Sequence, residues 1–189
     1  MIEKIIDIDT QLFLYLNSLH SDFFDKIMWF VSGKLEWIPL YLAIIFFIFR
    51  RYKIKGFIPL FFLIVAVALA DLISVNLFKD LFQRLRPCHN PEIENVVHLV
   101  NNKCGGMYGF VSSHAANAFA LAGFTFLLFR NKYFTFGIFI WATVVSYSRI
   151  YLGVHYPADV ICGAVLGLLL GILLFWIFKK TNIKNVING

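Results

Sequence analysis

Five apolar runs divide the chain, near residues 37–50, 57–78, 115–129, 133–148 and 158–178, each bounded by charged or turn-forming residues. A helix needs about 20 apolar residues to cross roughly 30 Å of hydrocarbon, and an open sheet would leave backbone amides unpaired in lipid. The pattern therefore predicts an all-α fold, a polytopic transmembrane helix bundle with five membrane helices. Residues 8–33 are ambiguous, because "SLHSDFFDKIMWFVSGK" mixes His20, Asp22, Asp25 and Lys26 with aromatics. That stretch is expected to lie in the interface or to cross as a sixth helix. Along the last run Gly163, Gly167 and Gly171 recur every fourth residue, a small-residue seam that lets a neighbouring helix come close.

Composition points the same way. The 189 residues are 60% hydrophobic and 15% charged, with 22 phenylalanines and a mean hydropathy of +0.75, too apolar for a wet surface. The 18% aromatic content, four tryptophans included, suits lipid-facing and interfacial positions. With no soluble linker, low-complexity tract or internal repeat, residues 1–189 read as a single membrane-embedded domain. The opening "MIEKIIDIDTQLF" lacks the basic start and cleavage site of a secretory signal, so the chain is expected to be retained whole.

The net charge of +6 does not imply nucleic acid, because the basic residues flank apolar runs instead of forming one patch. Arg50, Arg51, Lys53 and Lys55 separate two runs, Arg130 and Lys132 separate two more, and Lys179, Lys180 and Lys184 follow the last. The positive-inside rule makes these ends cytoplasmic. Residues 79–113 and 149–157 then share the opposite face, the periplasmic or outer side of a bacterial cytoplasmic membrane.

Ionisable residues gather on that face in three clusters. In "KDLFQRLRP", Lys79 and Arg86 are seven residues apart, so a helix continuing to Arg86 would bring both side chains to one face. Two converging cations suit an anion with several oxygens, such as a phosphate. In "FVSSHAANAF", Ser112 or Ser113 caps a helix whose first amides and dipole favour an anion, with His114 in the first turn. In "YSRIYLGVHYPAD", Arg149 closes one helix and Pro157 opens the next, while Asp159 stands four residues beyond His155. A carboxylate there can accept one ring N–H and leave the other nitrogen a free lone pair, as a nucleophile or general base requires.

Lys79 with Arg86-Pro87, Ser112 with His114, and Ser148-Arg149 with His155 and Asp159 resemble the signature of the type 2 phosphatidic acid phosphatase family. One departure is that Val111 and Ser113 stand where the family has Pro and Gly. The resemblance implies a membrane phosphatase in which His155 attacks phosphorus, His114 protonates the leaving oxygen and Asp159 orients His155. Lys79, Arg86, Ser112, Ser113 and Arg149 would hold the phosphate. It implies no metal and no cofactor, since three cations can neutralise charge as Mg²⁺ otherwise would. The implied partner is a lipid phosphate or diphosphate within the bilayer: undecaprenyl diphosphate, phosphatidylglycerophosphate, phosphatidate or a lipid A phosphate. Nothing in the sequence sets an oligomeric state.

Cys88 and Cys104 fall in the outer segment and Cys162 in the last run. A Cys88–Cys104 disulfide would close a loop of about 17 residues, stabilising by about 3 kcal/mol in the chain-entropy model. The same segment offers Cys88, His89, His98 and Cys104 as four zinc ligands, although adjacent Cys-His is an awkward start for a tetrahedral site. Asp71 reads as a structural group hydrogen-bonding across the bundle. Two rival functions also share the charge pattern. A transporter or channel would place its charges near the midplane, and a vanadate-dependent haloperoxidase would not need so many membrane helices.

Overall fold

A computed structural model describes residues 2–181, and Lys184 lies outside them. Among the described residues regular structure is helical, apart from one isolated bridge between Leu85 and Tyr108. In chain order the α-helices are α1 (Ile2–Ser18), α2 (Asp22–Ser32), α3 (Ile38–Tyr52), α4 (Phe57–Leu72), the short α5 (Asp80–Phe82), α6 (Ser113–Phe129), α7 (Lys132–Tyr151) and α8 (Pro157–Thr181).

Among the described residues two segments are long and apolar enough to cross a membrane, Ile38–Phe82 and Pro157–Thr181. The first is interrupted at Lys53, where φ turns to 49° and a 3-10 turn, Lys53–Gly56, carries the basic residues. Residues 8–33 do not form one long helix. The chain breaks after Ser18, and Ser21 caps α2 by accepting the Phe24 amide. At 11 residues α2 is about 16 Å long, half a hydrocarbon core.

The tightest packing in the bundle joins α6 to α8. A side-chain carbon added at Gly163 would sit 2.5 Å from the Ser112 carbonyl oxygen, at Gly167 2.0 Å from that of Ala116, and at Gly171 2.4 Å from that of Ala120. The glycine seam thus presses bare backbone onto an alanine-rich face, where Ala115, Ala116 and Ala120 are fully buried. It also fixes the N-terminal ends of the two helices against each other, and the Ser112 amide donates to the Asp159 carbonyl at 2.9 Å. Elsewhere larger side chains fill the core, with Ile44, Leu63, Phe124, Leu128, Ile138 and Phe175 in one cluster.

Helix α4 continues through a π-helical stretch, Ile73–Lys79, and ends at Phe82, after which Gln83 takes φ 46°. The helix predicted to run on to Arg86 therefore stops early, and Arg86 reaches its position on extended backbone. There the Arg86 amide donates to Met107 at 3.0 Å and the Gly109 amide to Arg84 at 2.8 Å. The outer segment folds back over the bundle end, with Cys88 and Cys104 joined and their Cα atoms 5.9 Å apart. The N-terminal helices clamp it. Asn17 donates to the carbonyls of His98 and Tyr151 and accepts the His98 amide at 2.8 Å, while Asp25 accepts from His98 Nε2 and the Tyr151 hydroxyl.

The seam generates a direct prediction. Gly167→Val, which drives carbon into a backbone carbonyl, is expected to destabilise the protein by more than about 2 kcal/mol in thermal unfolding in detergent. Gly137→Ala, at a position with open space, is expected to change stability by less than about 1 kcal/mol. Equal effects would contradict the backbone contact.

Candidate active site

The expected site residues arrive at one end of the bundle from five separate segments. Lys79 comes from the π-helical end of α4, Arg86 from the outer segment, and Ser113 and His114 from the first turn of α6. Arg149 comes from the last turn of α7 and His155 from the turn into α8. All six line one cavity of about 540 Å³. Its backbone setting explains the glycine in "LGVHYP". Gly153 has φ 77°, and an added side-chain carbon would lie 2.6 Å from the His98 carbonyl. The turn it makes lets the amides of Val154 and His155 both donate to the Arg149 carbonyl.

His155 is 2% exposed, and its two nitrogens face different surroundings. Nε2 lies 3.3 Å from the Arg86 guanidinium. An arginine can only donate, so Nε2 is the acceptor and the ring proton belongs on Nδ1. Nδ1 sits 3.5 Å from Asp159 Oδ2, beyond a tight hydrogen bond, and faces the backbone of Gly109. Burial, and then the charges of Arg86 and Arg149, hold the His155 imidazole well below its ordinary pKa, so it is neutral at pH 7. The geometry leaves a lone pair directed toward the cationic side of the cavity.

The cations have few protein anions to meet. Arg86 is 9% exposed and donates to the Val154 carbonyl, while its Nε is buried without a partner. Arg149 donates to the Ser32 hydroxyl, and its Nε is likewise buried and unpartnered. Lys79 donates to Ser113 Oγ at 3.1 Å, and Ser74 donates to the same oxygen at 2.8 Å. Ser113, standing where the family has glycine, therefore anchors the lysine. Ser112 behaves differently from the expected cap. It occupies the N-cap position of α6 but makes no side-chain cap bond, and its hydroxyl is fully buried without a partner. Ser113 forms the cavity wall, whereas Ser112 is not part of it.

Asp159 is 0% exposed and is committed to structure on both oxygens. Oδ2 accepts the Tyr156 amide at 3.0 Å, and Oδ1 accepts from Arg84 at 2.8 Å. Arg84 then spans to Asp9 of α1 at 2.7 Å and lies over the Tyr156 ring, 4.0 Å from its centroid. The other oxygen of Asp9 accepts the Ala158 amide in the first turn of α8 at 2.9 Å. Motif reading missed both residues. Arg84 lies in plain view in "KDLFQRLRP", but Asp9 is 75 residues away from it, and no local pattern announces the pairing.

Deeper in the cavity, Asp71 accepts from Asn117 at 2.9 Å, which bears out a bond across the bundle. Of the four zinc candidates, Cys88, His89 and Cys104 stay within 4.8 Å of one another and His98 does not join them. Cys88 and Cys104 are bonded to each other, His89 Nε2 lies 3.2 Å from the Gly105 carbonyl oxygen, and His98 pairs with Asp25.

An all-helical membrane chain with this cavity has close relatives. The PAP2 superfamily pattern matches residues 59–183. A lipid A 4'-phosphatase of Bacteroides thetaiotaomicron is 42% identical over 97% of this chain and 83% of its own. Another, from Porphyromonas gingivalis, is 36% identical over 93% of this chain and 75% of its own. The crystal structure of Aquifex aeolicus LpxE superposes with a TM-score of 0.69 at 28% identity, covering 88% of this chain and 94% of that one. These matches, falling on the segments that build the cavity, make the chain a member of the PAP2 superfamily of membrane lipid phosphatases, which are hydrolases.

Proposed function

We propose that the protein removes a phosphate from a phosphorylated membrane lipid through a phosphohistidine intermediate, without a metal. The observation that carries this reading is the direction of His155 Nε2, which faces a cavity shared by Lys79, Arg86, Arg149 and His114. The cations and the first amides of α6 bind the phosphoryl oxygens. Nε2 attacks phosphorus in line with the ester oxygen, and the P–O bond breaks as His114, which takes up a proton when the bound phosphate dianion offsets the cations beside it, gives that proton to the oxygen. Water, deprotonated by His114, then attacks the phosphohistidine, releasing inorganic phosphate and free His155. Asp159 stabilises the charge that develops on the ring.

The relatives named for lipid A 4'-phosphatase activity favour a lipid A-type phosphate as substrate. We further propose that the apolar helices α3, α4, α6, α7 and α8 are five membrane crossings, with α1 and α2 at the interface. The basic turns would face the cytoplasm and the cavity the outer side. The whole chain would act as one domain.

Three outcomes test the mechanism. His155→Ala is expected to lower phosphate release from lipid phosphates at least about 1000-fold while the thermal transition is retained; residual turnover near wild type removes His155 from the nucleophile role. A chelator is expected to leave the rate of the purified enzyme unchanged, and loss restored by a divalent ion would contradict metal independence. Arg84→Ala, which strips Asp159 Oδ1 of its partner, is expected to lower kcat about tenfold with little change in KM. Combining it with Asp9→Ala should cost less stability than the sum of the two single changes, because they share one ion pair. A pure KM effect, or strict additivity, would show that Arg84 does not position the site through Asp9.

A further inference from the structure

Arg86 is not held by a helix. It follows the helix end at Phe82 on extended backbone, and among the described residues no carboxylate forms an ion pair with it. Its place beside His155 depends on residues 104–109, which return antiparallel to it. The Arg86 amide donates to Met107 and the Gly109 amide to Arg84, with Leu85 bridging Tyr108 between them. The Arg86 side chain lies along that returning backbone. A carbon added at Gly109 would sit 3.2 Å from its Cγ, and one at Gly105 3.7 Å from its Cζ. The guanidinium at the end of this track reaches the Val154 carbonyl and His155 Nε2, both at 3.3 Å.

A two-stranded pairing this short is marginal in water, and here it must also close the loop 89–103. Other contacts grip that loop away from the pairing, Asn17 at His98 and the Tyr156 hydroxyl at Asn90. The covalent tie, Cys88–Cys104, stands at the end of the pairing, two residues beyond Arg86 and one before Gly105. Both cysteines are partly exposed, and a ring nitrogen of His89 lies within 4.8 Å of both sulfurs, where it can hydrogen-bond a departing thiolate. We infer that the Cys88–Cys104 disulfide is a redox-controlled positioning device that holds Arg86 on His155, so that its reduction turns the phosphatase down. The reductant is a dithiol. One of its thiolates attacks a sulfur of the pair, the S–S bond breaks as a mixed disulfide forms, and the second thiol displaces the remaining cysteine. Two electrons and two protons pass to Cys88 and Cys104, and the dithiol leaves as its own disulfide. The freed pairing frays, Arg86 loses the backbone that sets its guanidinium, and the phosphoryl oxygens lose a donor. The inference rests on the phosphatase reading and adds its regulation.

The test uses the full chain in detergent, with and without dithiothreitol. A chelator is present throughout, so that no metal recloses the loop through Cys88, His89 and Cys104. Turnover is read as kcat/KM on a lipid phosphate. Binding is read without turnover from the rise of the thermal midpoint with inorganic phosphate, which also serves Arg86→Ala. Reducing the wild type is expected to lower kcat/KM and to weaken phosphate binding about tenfold, the worth of one charge-assisted hydrogen bond, and reoxidation to restore both. In Arg86→Ala, and in Cys88→Ser combined with Cys104→Ser, dithiothreitol is expected to change phosphate binding less than twofold. A wild type whose two new thiols are proved by alkylation and mass, but whose kcat/KM stays within twofold, overturns the inference. So does an equal weakening in Arg86→Ala, which would put the effect elsewhere in the fold. An oxidised wild type that neither binds nor releases phosphate overturns the phosphatase reading itself.

Discussion

Mutual repulsion among Lys79, Arg86 and Arg149 is the constraint on which the site depends. Three cations share one cavity at the end of an apolar bundle, where charge is costly unless paired or hydrated. The nearby carboxylates, Asp71 and Asp159, relieve it only in part. Asp159 is held by Arg84 and the Tyr156 amide, and Asp71 is held by Asn117. What remains is positive potential beside buried, unpartnered guanidinium nitrogens of Arg86 and Arg149, and a multiply charged anion is the partner that offsets it best. Burial, reinforced by the same field, keeps His155 neutral and therefore nucleophilic.

The scaffold bears that strain through contacts of low flexibility. Backbone pressed on backbone along Gly163, Gly167 and Gly171 sets α8 against α6, so His114 and His155 cannot drift independently. The Asp9–Arg84–Asp159 chain ties α1 to the start of α8. Asn17 and Asp25 hold the outer segment from the side. Helices α1 and α2 thus belong to the architecture of the site, although neither carries a residue of the family signature.

Much of this was legible in the sequence because its signals are local. Apolar runs mark the helices, four-residue glycine spacing marks the seam, and Lys79, His114, Arg149 and His155 sit in short motifs and all four reach the cavity. What the sequence hid depends on distant pairings or on backbone irregularity. The early end of the helix at Gln83, with φ 46°, has no Gly or Pro at that position to announce it. Ser112 and Ser113 are adjacent hydroxyls, and only the turn into α6 decides that Ser113 meets Lys79. Residues 8–33 kept enough apolar character to pass for a crossing, yet polar residues at the break after Ser18 split them into two short helices. Asp9 and Asn117 looked like ordinary polar residues on apolar helices until their partners were in place.

The central claim is that His155 Nε2 takes the phosphoryl group, and rapid acid-free quenching of the enzyme with a radiolabelled lipid phosphate tests it most directly. The account predicts an alkali-stable, acid-labile phosphoryl label on a peptide containing His155, formed within the first turnover and absent from His155→Ala. A first turnover that releases phosphate with no covalent label, or with the label on another residue, contradicts it.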